Sequence, residues 1–355
     1  MVWLYITIRA SEVTLIGTAV ICEVTGAFRH ETEELFPSFD EAIARLWDSF
    51  PREVFARGYL HDGCSIELEC DFTSIAALQA ERLSAMRSFR ESPQTAPHDW
   101  WEVSFEKAKA SCRVTILGAN ELSMHGWYPT FFFASHLYDL FLILNLALPG
   151  SMNLYSAKVS SADSKFSEDI DLSSFYFEDA WVSSNQGVWP PLKELPVITV
   201  AEWFYKVRPG FNQIPETPIE RAFFALLHIC GSNGRSEDIV WLFYAMESLF
   251  ETRAGENFAA LFERTCLVLN PPEEVRSRLK KELRKMYDYR SAFVHGGLKV
   301  IHPHHREVMD KRVDQQYDDI VVLSLRWTHI LVACLQKMAE NGWTEIKFLT
   351  ILEAR

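Results

Sequence analysis

The chain has 355 residues, a formal net charge of −13, 48% hydrophobic residues and 23% charged residues. That length points to two domains, because single cores rarely keep growing beyond roughly 250–300 residues, and the composition is that of a globular chain rather than a disordered one. So negative a net charge excludes diffuse attraction of the whole surface to nucleic acid, so any such contact has to be local.

Seven cysteines, at positions 22, 64, 70, 112, 230, 266 and 334, are odd in number and form no Cys-x-x-Cys pair. Most sit in apolar runs, which predicts buried thiols in a reducing cytoplasm rather than disulfides or zinc ligands. The opening MVWLYITIRASEVTL lacks a basic leader and a small-residue cleavage site, so it reads as a first strand and not as a signal peptide. Further along, the strand-like runs Val13–Val24, Cys64–Phe72, Trp101–Phe105 and Cys112–Leu117 predict an irregular antiparallel sheet. Between them, Phe39–Phe50 and Thr73–Arg90 have helical spacing. The apolar run Phe131–Leu148 is about long enough to cross a bilayer. It carries Ser135, His136, Asp139 and Asn145 with no flanking Lys or Arg, so a core helix ended by Pro149-Gly150 is expected, and no membrane. The Ser/Asp-rich stretch Ser151–Asp171 reads as a loop, and Phe175–Val182 as one more strand. This first part, residues 1–195, is therefore an α+β domain whose role the residues do not declare.

After Pro190-Pro191 the texture changes. Thr199 with Glu202 three residues on is a capping-box pattern opening a helix at Val200, and Thr217-Pro218-Ile219-Glu220 repeats it with proline at the first helical position. Segments 237–250, 256–269, 271–294 and 313–339 all space their apolar residues by three and four. No strand is expected between Gly231 and Ala339. Residues 196–355 are thus an expected all-α helical bundle, with the helix at 199–208 able to belong to either side.

The helix after Asn270 is the most informative. Asn270 is a candidate cap, Pro271 suits the first position, and Glu273 and Glu274 favour the positive end of the dipole. Val275, Leu279, Leu283, Met286 and Phe293 draw one apolar stripe, and four residues past Met286 that stripe lands on Arg290. A guanidinium on a buried helix face costs several kcal/mol unless it is paired or hydrated, so the position asks for a carboxylate, a phosphate or an opening to solvent. His295 closes the helix before the helix-stop pair Gly296-Gly297. It places a protonatable imidazole at the negative end of the dipole. Between Arg276 and Arg312 there are eleven Lys/Arg against four Asp/Glu, a local basic patch on an acidic chain.

The stretch MYDYRSAFVHGG, Met286 to Gly297, resembles the signature of Apea-like domains of the HEPN superfamily. Arg290 and His295 fill that superfamily's Arg-x4-His motif, and IVWLFYAMESLF, Ile239 to Phe250, resembles its earlier helix with Glu247 as the acidic residue. The resemblance covers about a third of the chain, in its C-terminal part, and with the preceding region gives an expected α+β domain followed by an all-α HEPN-like bundle. It implies metal-independent RNA cleavage of the kind found in toxin or phage-defence systems, with no cofactor. Arg290 and His295 would be catalytic and Glu247, Ser291 and Tyr287 supporting. Lys280, Lys281, Arg284, Lys285, Lys299, His302, His304 and His305 would contact RNA. Many active members carry Asn, Asp or His where this chain has Ser291, and a hydroxyl can hydrogen-bond a phosphate but not act as a charged base. The alternative is a non-catalytic module for dimerisation or for binding a nucleotide or protein.

Helical geometry adds a constraint. Side chains five residues apart point about 140° from one another, so one helix does not easily turn both Arg290 and His295 on one phosphate. The resemblance implies a homodimer with two motifs facing each other, and an antitoxin or defence-system partner is a further expectation. Other signals carry less. His302-Pro303-His304-His305 is broken by proline and has no nearby cysteine, so no metal site is expected. Trp100-Trp101 and Trp203-Phe204 read as packing, as do the scattered His30, His61, His98, His125 and His136. There is no G-x-x-x-x-G-K-[ST] loop, no G-x-G-x-x-G after a strand and no G-x-S-x-G elbow.

Overall fold

The computed structural model describes residues 3–5, 16–25, 37–48, 56–91, 109–118, 120–161, 166–231, 237–252, 258–302 and 309–348. It is a mixed α/β protein that divides into two compact units. The first takes residues 1–174, 196–201 and 209–211, and the second takes 175–195, 202–208 and 212–355. Residues 175–195, read from sequence as the end of the first region, thus belong with the second.

The first unit is built on an antiparallel sheet. Its strands are β1 (Trp3–Tyr5), β2 (Ile16–Thr25), β3 (Ala56–His61), β4 (Cys64–Asp71), β5 (Lys109–Leu117), β6 (Leu154–Ser161) and β7 (Ser167–Leu172), in the order β3-β4-β5-β2-β6-β7. β2 is the spine. One edge pairs with β5 from Gly17 to Thr25, while the other is shared by β1 at residues 16–18 and β6 at residues 22–25. Cys64, Ile66 and Leu68 on β4, and Ala110, Cys112, Val114 and Ile116 on β5, are buried at every second position, the period-two pattern that fixes register when one face is covered. Among the helices α1 (Pro37–Asp48), α2 (Thr73–Glu91) and α3 (Trp127–Ala147), the long apolar α3 packs against β2, β5, β6 and β7. The most apolar window of α3 is 83% buried inside the protein. In its last turn, Asn145 Nδ2 donates to the carbonyls of Phe141 (2.9 Å) and Met152 (2.7 Å), and its Oδ1 accepts from Gly150 N–H at 2.9 Å. Those bonds tie the turn at 150–152 to the last turns of α3 and satisfy the side-chain amide, which explains a fully buried asparagine in an apolar helix.

Two sequence expectations fail here. Residues 151–171 are not a loop but carry the hairpin β6–β7. Leu154, Ala157, Val159, Ile170 and Leu172 face the core, while the outward Ser, Lys and Asp residues hid the alternation. An irregularity between Leu154 and Ala157, with Ser156 at φ 55°, interrupts the period further. Phe175–Val182 is not a strand but lies in α4 (Phe175–Asn185). Its aromatics suit a strand by propensity, yet Tyr176, Phe177 and Ala180 are buried with helical spacing, and packing overrides propensity. Residues 13–15 and the expected strand 101–105 lie outside the described residues.

Among its described residues the second unit contains helices and no strand. It contains α4, the end of α5 (Val197–Val207), α6 (Pro218–Cys230), α7 (Asp238–Leu249), α8 (Phe258–Leu269), α9 (Glu273–Val294) and α10 (Lys311–Asn341). α10 packs on α4, α7 and α8, while α9 packs on α7 and α8. The capping box at Thr217 is formed: its hydroxyl accepts from Glu220 N–H at 3.1 Å and Glu220 Oε2 accepts from Thr217 N–H at 3.0 Å. The one expected at Thr199 is not, because α5 starts at Val197 behind Pro196 and Thr199 is already inside it. α9 also begins two residues later than expected, with Pro272 at its cap and no side-chain capping bond. The reason is the Pro271-Pro272 pair, since a residue preceding proline is pushed out of the helical region. Asn270, at φ 47°, instead ends α8, where its N–H donates to the Cys266 carbonyl at 2.8 Å.

Candidate functional site

α9 carries two different faces. Leu279, Leu283 and Met286 are fully buried on its inner side, and Arg290 continues that row. Its side chain is 34% exposed, and its Nη2 lies 4.0 Å from Glu247 Oε2 on α7, too far for a hydrogen bond. The Nε atom is buried without a hydrogen-bond partner among the described residues. Burial pushes the Glu247 carboxyl up from its ordinary value, with the Arg290 charge only partly offsetting this. Arg290 and Glu247 therefore meet, as the residues suggested, but loosely. A guanidinium carries five donors, and the only charged partner Arg290 meets among the described residues is Glu247, at 4.0 Å.

His295 caps α9 and is exposed, its backbone N–H donating to the Ser291 carbonyl at 3.0 Å. Gly296 follows at φ 71°, the left-handed position where glycine ends a helix without strain. Ser291 is half-buried. Tyr287 is half-buried too, its ring edge-on to Phe243 at 6.0 Å and tilted against Phe258 at 6.0 Å, so it packs α9 onto its neighbours.

The outer face of α9 forms an open groove of about 930 Å³ with Lys280, Lys281, Arg284 and Lys285 in its walls beside Phe258 and Tyr289. The four cations are not equivalent. Arg284 is paired with Asp288 at 3.2 Å and lies 5.0 Å over the Phe258 ring, and Lys285 is paired with Asp319 at 2.9 Å. Tyr289 also donates to Asp319, at 3.2 Å, and the lysine holds that carboxyl below its ordinary value. Lys280 and Lys281 face solvent without a carboxylate partner among the described residues. This groove is not continuous with Arg290, which is absent from its walls. Lys281 and Arg290 are nine residues apart, about 180° around the helix. The structure thus separates two sets of residues that the sequence reading joined in one footprint. The helical wheel already contained that separation. Lys299 and His302 are exposed beyond α9, whereas His304 and His305 lie outside the described residues.

Sequence reasoning passed over a further feature of α7. His228 on α6 lies flat on Trp241, with ring centroids 4.2 Å apart and planes 8° from parallel, and Tyr244 stands edge-on to Trp241 at 6.3 Å. Among the described residues no group of three His, Cys, Asp or Glu is placed to hold a metal ion, and none of the seven cysteines forms a disulfide, six of them being buried. Comparison with known protein families, with curated proteins and with solved structures gave no match to this chain.

Proposed function

We propose that the second unit is a HEPN-like helical bundle acting on RNA, and that Arg290 and His295 cleave it without a metal ion. One observation carries the reading: Arg290 sits on the inner face of α9, reachable from solvent, with a buried unpaired Nε and a carboxylate only at the limit of ion pairing. A native buried donor without a partner calls for an explanation, and a phosphate oxygen supplies one, since guanidinium binds phosphate with paired donors. In the cleavage step the RNA 2′-oxygen attacks the adjacent phosphorus and the bond to the 5′-oxygen breaks. A 2′,3′-cyclic phosphate and a free 5′-hydroxyl result. The 2′-hydroxyl proton leaves to a base and a proton reaches the departing 5′-oxygen, transfers for which His295 is the candidate. Arg290 stabilises the charge on the phosphoryl oxygens. Because the two side chains diverge on one helix, the proposed site is completed by a second copy of the chain.

A second reading is favoured by the Arg290–Glu247 pair itself. In a non-catalytic interaction module the pair would orient α7 and α9, and His295 would be a surface cap. To separate the two, the purified protein and the Arg290→Ala and His295→Ala variants are incubated with single-stranded and structured RNA in EDTA. The nuclease reading expects wild-type products ending in cyclic phosphate, formed roughly 10²–10⁴-fold faster than with His295→Ala. Equal RNA integrity with all three proteins across several substrates leaves only the module.

A further inference from the structure

The groove on the outer face of α9 has no part in the Arg290 site, and its two ends differ in chemistry. Ser277, Lys281, Arg284, Asp288 and Ala292 all line it and recur at three- and four-residue intervals. They draw one stripe along four turns, about 22 Å long, on the side of α9 away from Leu279, Leu283 and Met286. The N-terminal half of the groove is cationic, with Lys280, Lys281, Arg284 and Lys285 all exposed. The C-terminal half is apolar, where Ala292 and Leu298 are half-buried. Leu298 is fixed there because the chain folds back after α9: its N–H donates to the Ala292 carbonyl at 3.0 Å, as does that of Gly297 at 2.7 Å. A helix face that meets only water is polar along its whole length. This one is cationic at one end and apolar at the other.

We propose that the outer face of α9 is a docking site for an acidic amphipathic helix of a partner protein. Its carboxylates pair with Lys280 and Lys281, and its apolar side chains lie on Ala292 and Leu298. A helix satisfies its own backbone groups, so it can lie in a groove and present side chains alone. Lys280 and Lys281 have no carboxylate partner among the described residues, and the Arg284–Asp288 pair is exposed on both sides, so exchanging it costs little. The rest of the chain is acidic, since eleven Lys/Arg against four Asp/Glu lie between Arg276 and Arg312 and the total is −13. An acidic segment is therefore repelled elsewhere and drawn to this face, which fixes where it lands. Nucleic acid suits the groove less well. Arg284 lies 5.0 Å over the Phe258 ring and Lys285 Nζ 5.9 Å over the Tyr289 ring, so cations already occupy faces on which bases would stack. Asp288 and Asp319 offset two of the four positive charges, and the apolar end offers a phosphate backbone nothing. Arg290 is on the other side of α9, so this docking is independent of RNA cleavage.

The test uses the full-length protein and a fluorescein-labelled synthetic helical peptide of about 15 residues, long enough to span the groove. Glutamates fill one half of the peptide and leucines one face of the other half. A scrambled peptide of the same composition and a single-stranded 2′-O-methyl RNA serve as comparisons. Fluorescence anisotropy reads the affinities. Saturable binding of the designed peptide is expected, on the order of 10-fold tighter than that of the scrambled one. The double variant Lys280→Ala/Lys281→Ala should weaken it on the order of 10-fold, and Leu298→Ala by a similar factor. Thermal unfolding checks each fold, and the exposed lysine pair together with the scrambled peptide decides the matter if Leu298→Ala unfolds. No saturable binding of the designed peptide, equal binding of the scrambled one, or wild-type affinity in the folded variants overturns the docking site. RNA that binds more tightly than the designed peptide and loses affinity in the lysine variant makes the groove a nucleic-acid surface and overturns it as well.

Discussion

Two arginines of the second unit, Arg326 on α10 and Arg290 on α9, are bonded to the fold to different degrees. Arg326 is 11% exposed, donates from Nε to Glu282 Oε2 at 3.3 Å and from Nη1 to the Trp189 carbonyl, and keeps one nitrogen, Nη2, unpaired. Around it the same helix holds the segment 189–193. His329 Nε2 meets the Pro190 carbonyl at 2.7 Å, and Gln336 exchanges hydrogen bonds with the backbone of Lys193 at 3.1 and 2.8 Å. Arg290 is three times as exposed and has no hydrogen bond among the described residues. The difference teaches where to look. A charge with two of its nitrogens bonded to the fold fastens chain to chain, whereas one with no hydrogen bond from the described residues keeps its donors for a ligand.

If that contrast is right, the largest loss of stability comes from the fastened member. Arg326→Ala should lower the unfolding free energy by about 4 kcal/mol, because Glu282 and the Trp189 carbonyl lose their buried partner; denaturant titration measures it, and a loss below about 1 kcal/mol would erase the contrast. Next in size is a pH effect at the same segment. Burial, reinforced by the Arg326 charge and opposed by the Pro190 hydrogen bond, holds His329 at about 4, below its ordinary 6.5. The unfolded chain then binds this proton first as pH falls, so stability is complete above about 6.5 and declines down to about 4. The contribution amounts to about 3 kcal/mol. His329→Gln, which keeps a donor for the Pro190 carbonyl, should flatten that decline between pH 6.5 and 4 in denaturation curves taken across the range.

The freer member predicts smaller numbers. Glu247→Gln should change the unfolding free energy by less than about 0.5 kcal/mol, since a half-exposed pair at 4.0 Å contributes little. A loss of several kcal/mol would mean that the pair fastens α7 to α9 after all.

Much of this was legible in the residues, and the parts that were not have physical causes. The inward position of Arg290 followed from the three-and-four spacing of Leu279, Leu283 and Met286, a signal carried within one helix. The capping box at Thr217 was equally local. The hairpin β6–β7 was hidden because only its inward residues are apolar, and α4 because its buried aromatics favour a strand until α10 supplies a helical packing surface. Glu247 came from resemblance rather than spacing, since two residues 43 positions apart on different helices share no periodicity. The division of α9 into an arginine face and a lysine face was present in the sequence, where counting charges by segment instead of by angle merged them.

On the proposed function, Arg290 is held for an anion and not for the fold. The most direct measurement takes Arg290→Ala alone and reads its unfolding free energy and its RNA cleavage rate in EDTA from one preparation. The account predicts a loss of stability of less than about 1 kcal/mol together with cleavage reduced on the order of 100-fold. A variant that unfolds, or one that folds and cuts RNA at the wild-type rate, contradicts it.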